Sequence, residues 1–104
     1  MNNITLHVVY AKTLKEKTVG LIGTRKPQAM LFKTRFGIHT FGVRFPIDVL
    51  ILDNNNIVVS LKQSLQRNRL LFWNPWFDTV VELPQETIKE KNIKKGDQIK
   101  IFVI

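Results

Sequence analysis

The 104-residue chain is the length of one domain, residues 1–104, and its 44% hydrophobic content is enough for a single core. It has no cysteine, which excludes disulfides, thiolate metal sites and cysteine nucleophiles, and its two histidines lack ligand spacing, so no metal or cofactor is expected. The formal charge of +8 suits an anionic partner and equally suits a plain solvated basic surface. No apolar run approaches the roughly 18 residues of a membrane span, so no membrane partner is expected. The start, Met-Asn-Asn-Ile-Thr, lacks the basic and apolar regions of an export signal. The expectation is a soluble, cytoplasmic chain.

Residues 3–10 alternate as a strand, with Ile4, Leu6 and Val8 on one face. Thr13 and Glu16 form a capping box that predicts a short helix, which Gly23 can end. Ala29 to Phe32 is a short strand, and residues 34–46, with Gly37, Gly42 and Pro46, form a kinked segment. Ile47 to Leu52 reads as a strand covered on both faces: Ile47, Val49 and Ile51 alternate with Asp48, Leu50 and Leu52. Asp53-Asn54-Asn55-Asn56 makes a turn, and Ile57 to Leu61 returns as the second arm of a hairpin. Residues 62–77 carry both tryptophans, Trp73 and Trp76, beside a basic stretch. Such rings either plug one end of a small barrel or stack bases. Thr79 to Leu83 is a strand, Gln85 to about Asn92 a second short helix after Pro84, and Gln98 to Val103 a closing strand. This order predicts an α+β domain: compact, mostly antiparallel and barrel-like, with two short helices.

The run Ile38-His39-Thr40-Phe41-Gly42-Val43-Arg44-Phe45-Pro46-Ile47-Asp48-Val49 closely resembles a signature of a bacterial and archaeal family, the domain-of-unknown-function family numbered 192. Gly20-Leu21-Ile22-Gly23, Ala29-Met30-Leu31-Phe32 and Val80-Val81-Glu82-Leu83-Pro84 agree with it in order, and the last leads into Ile93-Lys94-Lys95-Gly96-Asp97. The likeness spans about residues 10 to 102. Two departures stand out: Thr24 precedes Arg25 where members place the arginine directly after the glycine element, and residues 60–77 differ from the usual Pro-rich connection. The resemblance implies a small, mostly β fold and no particular activity. The piece from Thr79 to Ile99 also resembles half of an AbrB-type swapped-hairpin regulator, with a strand ending in Pro, a short helix, then Ile-Lys-x-Gly-Asp and a closing strand.

Asp48 at the mouth of an apolar strand is costly to bury without partners. His39, Thr40 and Arg44 are its nearest candidates in sequence, and the four together suggest a polar recess for a small polar or anionic ligand. Asp48 could equally cap backbone amides of the 37–45 loop or pair with Arg44, whose planar fork suits a carboxylate. His39 beside Thr40 raises general-base chemistry, and Glu82 could join Asp48 as a carboxylate pair. Gly20 to Lys26 lacks the spacing and the strand-loop-helix order of a phosphate loop. No acid lies between Glu16 and Asp48 or between Asp53 and Asp78. Those stretches hold Arg25, Lys26, Lys33, Arg35, Arg67 and Arg69 as candidate phosphate contacts for nucleic acid. The leading expectation is a non-enzymatic binding module with the polar recess. Nucleic-acid binding through the basic surface is the alternative, and a hydrolase the third class.

Overall fold

The computed structural model describes residues 3–11, 29–35, 37–41, 43 and 45–104. Among them lie β1 (Asn3–Tyr10), β2 (Met30–Lys33), β3 (Gly37–His39), β4 (Ile47–Leu52), β5 (Val58–Leu65), β6 (Leu70–Phe72), β7 (Thr79–Pro84), the helix α1 (Thr87–Glu90) and β8 (Gln98–Val103). Six strands form one sheet in the order β5-β4-β7-β2-β1-β8, and β3 with β6 forms a separate two-stranded ribbon. The sheet curls until its edge strands meet at one end. There Ile57 bridges Gln98, the Val58 N–H donates to the Asp97 carbonyl at 3.0 Å, and the Gly96 N–H donates to the Val58 carbonyl at 2.8 Å. The result is a curled half-barrel.

The fold is β-rich rather than a balanced α+β domain. The helix expected from Thr13 lies outside the described residues. The second one shrinks to the single turn of α1 because both flanks are left-handed: Glu86 at φ 76° and Asn92 at φ 55°. Asn92 ends the helix as its side chain type suggests; Glu86 delays its start. The sheet is antiparallel at β4–β5, β4–β7 and β2–β7, but β1 runs parallel to both β2 and β8. Residues 11–29 separate β1 from β2, long enough for the crossover that a parallel pair requires.

Two apolar clusters hold the sheet. The inner one draws on all six strands, with Leu6, Leu31, Leu50, Leu52, Val58, Val81, Leu83 and Ile99, and Ile88 of α1 and Ile93 close one end. The outer one covers the convex face of the central strands: Met30, Phe32, Ile47, Val49, Ile51 and Val80 pack beneath Ile38 of the ribbon, with Leu71, Trp73 and Phe77 against them. Every residue of β4 is buried, as expected for a strand covered on both sides. The hairpin at 53–56 also forms. The Asp53 carboxylate accepts the Asn55 and Ile57 amides at 2.8 and 2.9 Å, and Asn56 takes the left-handed conformation. Its second arm extends to Leu65, past the expected Leu61.

Candidate functional site

Asp48 is almost wholly buried on the concave side of β4. Its Oδ1 accepts the Ser64 amide at 2.9 Å, and its Oδ2 accepts the Ile88 amide at 2.8 Å. Ser64 sits at φ 52°, so its N–H is turned out of the regular ladder. Ile88 lies in the first turn of α1, where a helix leaves its amides without intrahelical partners. One carboxylate thus ties β4 to the end of β5 and to the start of α1. Neither partner belongs to the 37–45 loop, of which Gly42 and Arg44 lie outside the described residues.

Thr40 is fully buried at the other end of the recess expected from sequence. Its hydroxyl donates to the Gln66 carbonyl at 2.7 Å and accepts the Arg69 amide at 2.8 Å. The Thr40 amide donates to the Arg69 carbonyl at 2.9 Å, and the Asn68 amide donates to the Thr40 carbonyl at 3.2 Å. These bonds clamp the β5–β6 turn, with Arg67 and Arg69, to the end of β3. His39 is exposed. Its ring stacks on Phe41 at 5.3 Å, and its Nδ1 accepts the Phe41 amide at 3.3 Å. His39, Thr40 and Asp48 therefore have three separate sets of hydrogen-bond partners.

Register also separates the carboxylates considered as a pair. Residues directly opposite in an antiparallel ladder share a face. Asp48 is opposite Leu83, and Glu82 is opposite Val49, so the two acids lie on opposite sides of the sheet. Glu82 is buried with the convex cluster. Among the described residues no group of three or more His, Asp or Glu could hold a metal ion, and no helix is long and apolar enough to cross a membrane.

The ribbon presents a different surface. Ile38 pairs with Leu71 and both face the sheet, so Gly37 with Phe72 and His39 with Leu70 face outward. The Phe72 ring lies over Gly37: a Cβ there would fall 2.7 Å from its Cδ1 and 2.5 Å from the Leu71 carbonyl oxygen. Leu70, Phe72 and Trp76 are 56%, 69% and 83% exposed, far above the usual burial of such side chains. An open hollow of about 270 Å³ is lined by Arg35, Gly37, Ile38, His39, Leu70 and Phe72. A larger cleft of about 500 Å³ lies between Arg35, Asp53, Asn54, Asn55, Trp76 and Phe77. Arg35 borders both.

The cations named from sequence divide into three groups. Arg25 and Lys26 lie outside the described residues. Lys33 and Arg35 converge on Asp78, at 3.9 and 3.8 Å. Lys33 also donates to the Thr79 hydroxyl at 2.6 Å, and Arg35 to the Pro75 carbonyl at 2.6 Å. Arg67 and Arg69 are exposed in the clamped turn, with no carboxylate partner among the described residues. The tryptophans split as well. Trp73 donates its indole N–H to the Phe77 carbonyl at 2.8 Å and packs on the convex cluster, whereas Trp76 stands in solvent. Leu70 and Phe72 flanking Leu71 at a spacing of two is the signal that could have identified the outward face.

A small half-barrel carrying a two-stranded ribbon with exposed rings and cations is the class of structure these features define. The chain belongs to the family of uncharacterised ACR proteins, domain-of-unknown-function family 192, whose profile matches residues 1–101. Two solved structures share its fold. One is a candidate transcription regulator from Sinorhizobium meliloti 1021, with a TM-score of 0.74, 17% identity, and coverage of 86% of this chain and 76% of that one. The other is a protein of unknown function from Novosphingobium aromaticivorans DSM 12444, with a TM-score of 0.71, 16% identity, and coverage of 86% and 70%. A comparison with curated proteins finds no match.

Proposed function

We propose that this domain is a non-enzymatic binding module for an anionic ligand, held on the outer face of the β3–β6 ribbon and in the adjoining cleft. The observation that carries the reading is the position of Arg35. It borders two neighbouring hollows whose other walls include exposed rings, Phe72 in one and Trp76 in the other. Its guanidinium is held in place by the Pro75 carbonyl and by Asp78, and a planar group with five N–H donors has further donors to offer an oxyanion. The clamped turn sets Arg67 and Arg69 beside the same ribbon. The ribbon face is preferred to the recess suggested by sequence because Thr40 and Asp48 spend side-chain bonds on the backbone. The separation of Asp48 from Glu82 by the sheet favours binding over two-carboxylate chemistry.

The test is a thermal-shift titration with inorganic triphosphate at low and high salt. A ligand at about 100 times its dissociation constant adds about 2.7 kcal/mol. The expected result is a shift that fades as salt rises and is reduced in Arg69→Gln. No shift, or one that salt leaves unchanged, contradicts an anionic ligand on this surface.

A further inference from the structure

We infer that the anionic ligand of this surface is single-stranded nucleic acid, with bases stacked on Phe72 and Trp76 and phosphates paired with Arg35, Arg67 and Arg69. This rests on the binding reading above and names the ligand class. A simple oxyanion would need the cations only. It would leave unexplained why the most solvent-exposed large rings of the described chain, Phe72 and Trp76, line two hollows that share the same arginine. Single-stranded nucleic acid supplies both counterparts at once, because each base has a π-face and each link between bases carries a phosphate.

The charge distribution favours the same occupant. Residues 54–77 supply all of β5 and β6 and hold Lys62, Arg67 and Arg69 without a single acid. Asp48, Glu82 and Asp97 are buried, which removes three of the eight acidic side chains of the chain from the outer surface. The cleft does contain Asp53, but its Oδ1 is engaged by the Asn55 and Ile57 amides within its own turn. Asn54 and Asn55 line the wall facing Trp76, where amide groups can reach the edge of a base stacked on the indole.

A duplex fits less well. Its bases are stacked on one another and offer edges in the grooves, so the faces of Phe72 and Trp76 would find no partner. The ribbon has three residues per strand and is seated on the sheet through Ile38 and Leu71, so it does not project as a groove-reading arm. A sulfated polymer or a phosphorylated metabolite would match the cations but not the pair of rings.

The experiment uses the full chain carrying Trp73→Phe, so that Trp76 is the only tryptophan. Three probes are titrated: a short oligothymidylate, an abasic phosphodiester of the same length, and a duplex of the same length. The expected result is quenching of Trp76 by the oligothymidylate, with much weaker binding of the other two probes by fluorescence anisotropy. Phe72→Ala and Trp76→Ala should each weaken oligothymidylate binding by about tenfold or more without changing the melting temperature. Arg69→Gln should lower the slope of log affinity against log salt by roughly 0.7, the value for one phosphate on a single strand. If the abasic probe or the duplex binds as tightly as the oligothymidylate, base stacking is overturned while the anionic-ligand reading stands. If neither these probes nor inorganic triphosphate binds, both fail.

Discussion

Asp48 holds three elements through two backbone amides, and neither amide has an obvious substitute partner. A hydrogen bond to a charged group contributes about 1.5–3 kcal/mol, and a buried N–H left unmade adds its own cost. Asp48→Ala should therefore lower unfolding stability by about 3–5 kcal/mol in a urea titration, with the slope unchanged. Asp48→Asn keeps one acceptor and should lose roughly half as much. Thr40 works by the same logic at the ribbon. Thr40→Val keeps the volume but strands the Gln66 carbonyl and the Arg69 amide, for a loss of about 1–3 kcal/mol, and Thr40→Ser should restore most of it. Because Thr40 fixes the turn that carries Arg67 and Arg69, Thr40→Val should also weaken triphosphate binding by the folded protein. Unchanged affinity in that variant would separate the turn from the binding surface. None of this was legible locally. The partners of Asp48 lie 16 and 40 residues away, and those of Thr40 lie 26 and 29 away. Sequence proximity pointed each polar side chain at its neighbours instead.

At the scale of elements, the readable parts are those whose pattern is local. β4 announces burial on both faces by an almost unbroken apolar run, and the hairpin after it is set by Asp53 and by an asparagine in the left-handed position. The ribbon is the opposite case. Strands of three residues carry too little periodicity to identify, and their pairing depends on Ile38 and Leu71 finding the convex cluster. α1 was overestimated because a proline followed by polar residues looks like a helix start, whereas Glu86 adopts φ 76° and delays it. The ribbon also depends on a glycine. At Gly37 an added methyl would meet the Leu71 carbonyl oxygen at 2.5 Å, within the pairing itself, so the backbone must yield. Gly37→Ala should cost about 1–3 kcal/mol and speed amide exchange at Leu71 and Ile38 before it affects β4. Protection that stays intact along the ribbon would mean that the close approach is not needed.

Across the whole molecule, the fold sorts charge by burial. Three carboxylates, Asp48, Glu82 and Asp97, are buried, on both sides of the sheet, whereas Arg35, Arg67 and Arg69 are exposed. Residues 58–77 bring together Lys62, Arg67 and Arg69 with the exposed rings of Phe72 and Trp76, and the ribbon strand among them packs on the curled sheet. Composition made the basic surface visible from the start. It could not say that Arg35 would line one hollow with Phe72 and another with Trp76, because that placement joins the end of β2, the ribbon and the 74–78 turn. Binding on this side should show the salt dependence of released counterions. The most direct measurement is an amide chemical-shift map of the isotope-labelled chain, recorded with oligothymidylate and, separately, with inorganic triphosphate. The account predicts perturbations at Arg35, Gly37 to Phe41, Arg67 to Phe72, Asn74, Trp76 and Phe77. Perturbations centred instead on Ser64 and Ile88 around Asp48, or none with either probe, would contradict it.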